Sequence, residues 1–339
     1  MTEPGRDARP ISTVRRISSV ASIAAIVLLG LLITIPTFSY VSMYTHGTGG
    51  AQPDHWDFTA FPVTWSLRPG TGSNVTGNRP AADVIQASFA TWQAAPNTSI
   101  SVARGPDTMA SGGFDGVNVV CFICTDSALN EAGTLAVTIT TTADRAGQDT
   151  KHGQTSRFVG QILDADILFG PSVSYTTGGT SGHDLQTIAT HEMGHFLGLD
   201  HSAVVRAVMF PFAPGTPLQT LGYDDVAGVS SIYPKSTPDT PTGGISGTVR
   251  FASSGPVFGA HVFADSDTTL TAFGSNIRKT PIGALTRPDG TYSIQGVPID
   301  TYTVIAEPID EPMTNSDLEG YASAFGKTSV QTDFNTRWH

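Results

Sequence analysis

Residues 191–201 read His-Glu-Met-Gly-His-Phe-Leu-Gly-Leu-Asp-His, and this spacing constrains the fold more than any other stretch of the chain. His191 and His195 are four apart, so a helix puts both imidazoles on one face, about one turn apart. Gly198 can take the left-handed backbone that ends a helix, and the chain then turns so that His201 arrives beside them. Three imidazole nitrogens suit a single Zn²⁺ and leave a fourth position open, the pattern of a catalytic rather than a structural site. Glu192 stands next to the first ligand, where its carboxylate can take a proton from the attacking water. An exposed helix with unconnected histidines is the bland alternative, and it gives no reason for the glycine and the third histidine. His46, His55, His152, His183, His261 and His339 show no ligand spacing and read as surface or core residues.

The flanks fit a buried helix. Ser181 or Asp184 can cap its start, and Leu185, Ile188, Ala189 and Phe196 supply an apolar stripe. Downstream come Ala207-Val208-Met209-Phe210-Pro211, and then Leu221-Gly222-Tyr223-Asp224-Asp225 leading to Ile232-Tyr233-Pro234. The long histidine motif followed by a Met-containing turn resembles the metzincin clan of zinc metalloproteases, and within it the matrixins and their bacterial-type relatives. That resemblance implies that Met209 forms an apolar floor under the metal and that Pro211 walls the main specificity pocket. It implies too that the strand around Gly133-Thr134-Leu135-Ala136 is a sheet edge, with Leu135 and Ala136 beside an extended substrate.

Further upstream the likeness is weaker. Phe61, Val63, Trp65 and Leu67 alternate as a half-buried strand does, and Val84, Ile85, Ser88, Phe89 and Trp92 follow helical spacing after Pro80. Ile100 and Val102, Val117 to Phe122, and Ile162 to Phe169 read as further strands. Many matrixins place a histidine for a second, structural zinc directly after the Leu-Ala of the edge strand. Val137 stands there instead, so no structural zinc is expected. Asp164 and Asp166 offer hard oxygen ligands for Ca²⁺, or are simply solvated or capping carboxylates. A propeptide cysteine, the usual latency device of vertebrate-type matrixins, is absent: the two cysteines are Cys121 and Cys124. They can form a local disulfide in an oxidising compartment, remain as buried thiols, or make a redox pair, which would want a strand-to-helix entry that the sequence does not offer.

No Asp, Glu, Lys or Arg falls between Arg16 and Asp54, and Ile17 to Pro36 is almost wholly apolar. The run is long enough to cross a bilayer, and the arginines before it would stay cytoplasmic. Residues 1–16 therefore read as a basic cytoplasmic N-terminus, 17–38 as a transmembrane anchor, and 39–55 as a linker. A signal peptide removed on secretion is the alternative. The formal charge of −11 argues against nucleic-acid partners, which would want a basic face. Asn74-Val75-Thr76 and Asn97-Thr98-Ser99 match a glycosylation triplet that is common by chance.

After the protease-like region 56–234, residues 235–244 have linker composition, and from 245 the period becomes two. Ile245, Val249, Phe251, Val262, Ala264, Tyr292, Ile294, Tyr302, Val304 and Ala306 alternate, predicting a small β-sandwich over 245–310 and a tail over 311–339 with possible further strands. Gly247-Thr-Val, Gly255 to Ala260, Asp289-Gly-Thr-Tyr292 and Tyr302-Thr-Val resemble carboxypeptidase-regulatory-type modules, which implies an accessory domain able to dock a protein or surface ligand. The expected fold class is α+β, a twisted, mostly parallel sheet with an antiparallel edge strand, plus the sandwich. The expected function is an extracytoplasmic zinc metalloendopeptidase that takes protein or peptide substrates. The alternative is a membrane-tethered scaffold or adhesion protein that keeps the fold without the activity.

Overall fold

The structure is a computed structural model, and it describes residues 8–12, 41–47, 50–148, 153–178, 181–252, 255–268 and 271–338. The expected membrane segment 17–38 lies outside the described residues. Among the described residues no helix is long and apolar enough to cross a membrane.

A five-stranded sheet forms the first layer, in the order Val102–Arg104, Val63–Leu67, Asn118–Cys121, Ile162–Phe169, Ala136–Thr142. The first four strands run parallel, and Ala136–Thr142 runs antiparallel to Ile162–Phe169 at the edge. The helix Ala81–Gln93 and the motif helix Leu185–Phe196 cover the sheet. Trp92 fills the space between these helices, and its indole N–H donates to the Thr190 carbonyl at 2.8 Å. The edge strand differs from the expected one in its bounds. It starts at Ala136 and runs to Thr142, because Gly133 has a positive φ of 92° and turns the chain just before it. Leu135 therefore sits ahead of the strand, its carbonyl accepting from Gly170 N at 2.9 Å and from the Tyr175 hydroxyl.

Cys121 and Cys124 are joined in a disulfide, which selects one of the three readings open in the sequence. Asp164, through Oδ2, and Asp166, through both oxygens, bind backbone N–H groups of the 113–119 stretch. Asp164 accepts from Asp115 N and Gly116 N, and Asp166 accepts from Gly113 N and Val119 N.

The C-terminal region consists of two antiparallel sheets. Thr242–Phe251 pairs with Thr291–Pro298 and also with Ala8–Ser12. The second sheet has the order Ile282–Leu285, His261–Ser266, Tyr302–Glu307, Arg337–Trp338. The tail thus returns to complete the same sheet by pairing with Tyr302–Glu307. On the way it forms the short helix Glu319–Ala324.

This region is docked on the first layer and does not hang from a free linker. Tyr223, Val226 and Ala227 of the closing helix Tyr223–Ile232 share one buried apolar cluster with Val249, Ile282, Ile294 and Val297. Asp224 accepts from Gly283 N at 2.8 Å, and Asp224 N donates to the Thr280 hydroxyl at 3.1 Å. The stretch after Pro234 is itself held, since the Asn97 side chain exchanges two 2.8 Å hydrogen bonds with the Thr240 backbone.

Candidate metal centre and cleft

Asp184 caps the motif helix, accepting from Thr187 N at 2.8 Å and from the Thr187 hydroxyl at 2.7 Å. Gly198 ends it with a φ of 89°, and a Cβ there would collide with the Asp54 carbonyl. Trp56 Nε1 donates to the Phe196 carbonyl and the Tyr233 hydroxyl to the Leu197 carbonyl, so two late carbonyls that the helix leaves free are satisfied in the core. These restraints fix the angle at which the chain turns back, and the turn brings His201 to the other two histidines.

The ligand nitrogens of His191, His195 and His201 lie within 4.8 Å of one another. Among the described residues they are the one cluster of three or more metal-capable side chains this close. His191 Nδ1 meets the Val208 carbonyl at 2.8 Å, and His195 Nδ1 meets the Leu199 carbonyl at 2.8 Å. A carbonyl only accepts, so both rings carry their proton on Nδ1 and present a lone pair at Nε2. Those two Nε2 atoms face each other at 3.2 Å, where neither can donate to the other. Ligands about 2.0–2.1 Å from a tetrahedral Zn²⁺ stand about 3.3 Å apart, so this pair fits the ion, with His201 within 4.8 Å of both. Burial, and then the neighbouring His201, push His191 down to about 3, while burial first and its two histidine neighbours second hold His195 well below the usual range. Neutral imidazoles are what a metal requires.

Glu192 is buried beside this cluster. Burial pushes its carboxyl up to about 7, and the Thr138 hydroxyl, donating to Oε2 at 2.7 Å, pulls the other way. The same hydroxyl lies 3.0 Å from the Glu192 carbonyl, so the edge strand and the motif helix are tied at Glu192.

Met209 is fully buried, and its thioether lies against the motif helix at Gly194, where an added Cβ would collide with the sulfur. The turn that carries it hangs on Asp225, which accepts from Val208 N at 2.9 Å, Met209 N at 3.2 Å and Gly222 N at 2.7 Å. The loop 212–221 is tied to the start of the helix, because Leu218 N donates to the Thr187 hydroxyl and Gln219 donates to Asp184.

A cavity of about 660 Å³ runs past the three histidines and Glu192. Residues 133–138 line one side, Pro211 and Leu218 another, and Tyr44, Asp317 and Gly320 the end next to His201. Every site residue expected from the sequence borders this cavity except Met209, which lies beneath it. Sequence reasoning placed Thr138 on the substrate edge and Asp225 in the closing helix, but missed their hydrogen bonds to Glu192 and to the Met209 turn, and it missed the whole wall by His201. The run of β-branched residues at 137–142 could have extended the edge strand beyond Thr138 to Thr142. Nothing in the linear sequence brings Asp317 to residue 201.

Residues 138–234 match the matrixin family model. The hatching enzyme of Paracentrotus lividus is 45% identical over 69 residues, which are 20% of this chain and 12% of that protein. Matrix metalloproteinase-19 of Mus musculus is 43% identical over 75 residues, 22% of this chain and 14% of the relative. Matrilysin of Rattus norvegicus is 40% identical over 78 residues, 22% and 29% respectively. The chain therefore spans less than a third of the length of each of these relatives. The matrixin match takes in the three histidines, Glu192, Met209 and the closing helix.

Proposed function

We propose that the chain is an extracytoplasmic zinc-dependent endopeptidase that cuts protein or peptide substrates bound along the edge strand. The observation that carries the reading is the trio of converging imidazoles, two of them anchored through Nδ1 on backbone carbonyls, with a buried carboxylate beside it. When bound there, Zn²⁺ would supply Lewis acidity, polarising a carbonyl and lowering the pKa of a water. Everything else falls to the protein. Thr138 occupies Glu192 Oε2, which leaves Oε1 to take a proton and later return it to the leaving amine. A carboxyl already raised by burial is suited to both halves of that exchange, and a neighbouring cation would draw it lower again.

The edge strand Ala136–Thr142 has one row of backbone groups without a strand partner among the described residues, and an extended peptide can add to it. Leu135 and Ala136 sit at its start, and Pro211 with Leu218 borders the cavity where an apolar substrate side chain would enter. The Cys121–Cys124 disulfide supports an extracytoplasmic setting. The test uses the full chain: E192A should keep its metal and lose about 10²–10⁴-fold in peptide turnover, and 1,10-phenanthroline should abolish wild-type activity. A Glu192→Ala protein that cuts a casein substrate at the wild-type rate would refute the reading.

A further inference from the structure

Two of the three zinc-site histidines are oriented from within the motif region, but the third is not. The carbonyl facing His201 Nδ1, at 3.4 Å, belongs to Asp317, 116 positions further along the chain. It is the longest of the three contacts, against 2.8 Å for each of the other two. Building on the zinc-peptidase reading, we propose that the C-terminal segment 314–324 is a positioning element of the metal site, orienting His201 through the Asp317 carbonyl and walling the cleft beside it.

The segment is built to hold that carbonyl in place. Asp317 turns its own carboxylate away from the histidine, accepting from Thr314 N at 2.7 Å and from the Thr314 hydroxyl at 2.8 Å, which closes a capped 3₁₀ turn. Leu318, the next residue, is 1% exposed and packs in a cluster with Val41, Phe210, Phe258 and Tyr321. Phe210 belongs to the turn that carries Met209, so one apolar cluster joins the tail to the floor of the site. Tyr321 stacks on Phe258 with ring centroids 5.6 Å apart, and the Tyr44 ring meets Tyr321 and Phe325 at 6.0 and 5.4 Å. Downstream, Val330 N donates to the Asn315 side chain and Gln331 N to the Phe258 carbonyl. The turn is thus fastened on both sides, and Asp317 and Gly320 border the same cavity as His201.

A ring nitrogen's partner fixes the tautomer and the direction in which the other nitrogen points, and loss of such a partner typically costs 10–100-fold in metal affinity or activity. Asp317→Ala loosens the turn without touching any ligand or apolar contact, and the double variant T314A/D317A removes both halves of the cap. In the full chain, zinc affinity measured against a chromophoric chelator should weaken about 10-fold in D317A and further in the double variant. D317N, whose amide oxygen can still accept from Thr314 N, should stay within about threefold of wild type. Imidazole NMR of the zinc-loaded protein gives the second readout. The His201 Nδ1–H should exchange faster in D317A while those of His191 and His195 stay unchanged.

Wild-type zinc affinity and an unmoved His201 signal in the double variant would overturn the proposal. So would equal changes at all three histidines, which would mark general loosening. A wild-type chain that takes up no zinc would instead sink the metallopeptidase reading, and this proposal with it.

Discussion

At the scale of single residues, the histidines and Glu192 were legible because a metal site imposes residue types at exact intervals, and a helix converts those intervals into one face. Their partners were not, because any carbonyl or hydroxyl can orient an imidazole or a carboxylate. Thr138 is the clearest case. Replacing it with valine keeps the shape and removes the donor to the ionised Glu192 carboxylate. The folded pKa of Glu192 should then rise, so the acid limb of the pH–rate profile moves to higher pH. At pH 6, kcat/KM should fall about 3–10-fold with zinc retained. An unmoved acid limb would show that Glu192 is not the titrating base. Gly194 makes a second residue-scale prediction. Alanine favours helix, yet its methyl would meet the Met209 sulfur. G194A should therefore destabilise the protein by about 1–3 kcal/mol in urea titration, opposite in sign to its helix propensity.

At the scale of elements, apolar patterning found most of the strands, and it failed at a short one with two-sided burial. Ile282–Leu285 is buried at all four positions and carries no alternation, so it was passed over. The edge strand was found but started too early, because Gly133 belongs to a turn that a family resemblance does not place. Asp225 shows how one element holds another. Three backbone N–H groups, from Val208, Met209 and Gly222, depend on its carboxylate. D225A leaves all three buried and unpaired, which should cost about 3 kcal/mol or more. Since Val208 also supplies the carbonyl for His191, the variant should lose zinc more readily than D317A does. Wild-type zinc retention in D225A would contradict that chain of support.

At the scale of the whole molecule, the C-terminal sheets are packed as one body with the layer that carries the histidines. A cut after Pro234 would uncover Tyr223 and Val226 and remove the Gly283 donor from Asp224, so a fragment ending there should fold poorly. Burial, and next the neighbouring Asp225 carboxylate, push Asp224 up to about 8, against an unfolded value near 4. The sign follows directly: between these values the folded state binds the extra proton, so stability is full below about pH 4 and is lost as pH rises towards 8. The drop should be on the order of a few kcal/mol. D224N, neutral throughout, should flatten that slope in denaturant titrations at pH 5 and pH 8, and an unchanged slope would assign it elsewhere.

The N-terminus offers a separate test of topology. The pairing of Ala8–Ser12 with Thr242–Phe251 and a membrane crossing at 17–38 exclude each other, because a crossing would put the two strands on opposite faces.

All of these scales meet at the three histidines, and one measurement addresses the proposed metal site directly: zinc stoichiometry of the purified full chain, with X-ray absorption at the zinc edge. One ion per chain, with three imidazole nitrogens and one lighter ligand at about 2.0–2.1 Å, is the predicted result. A folded chain with no tightly held zinc, or with fewer than three imidazoles on the ion, would contradict it.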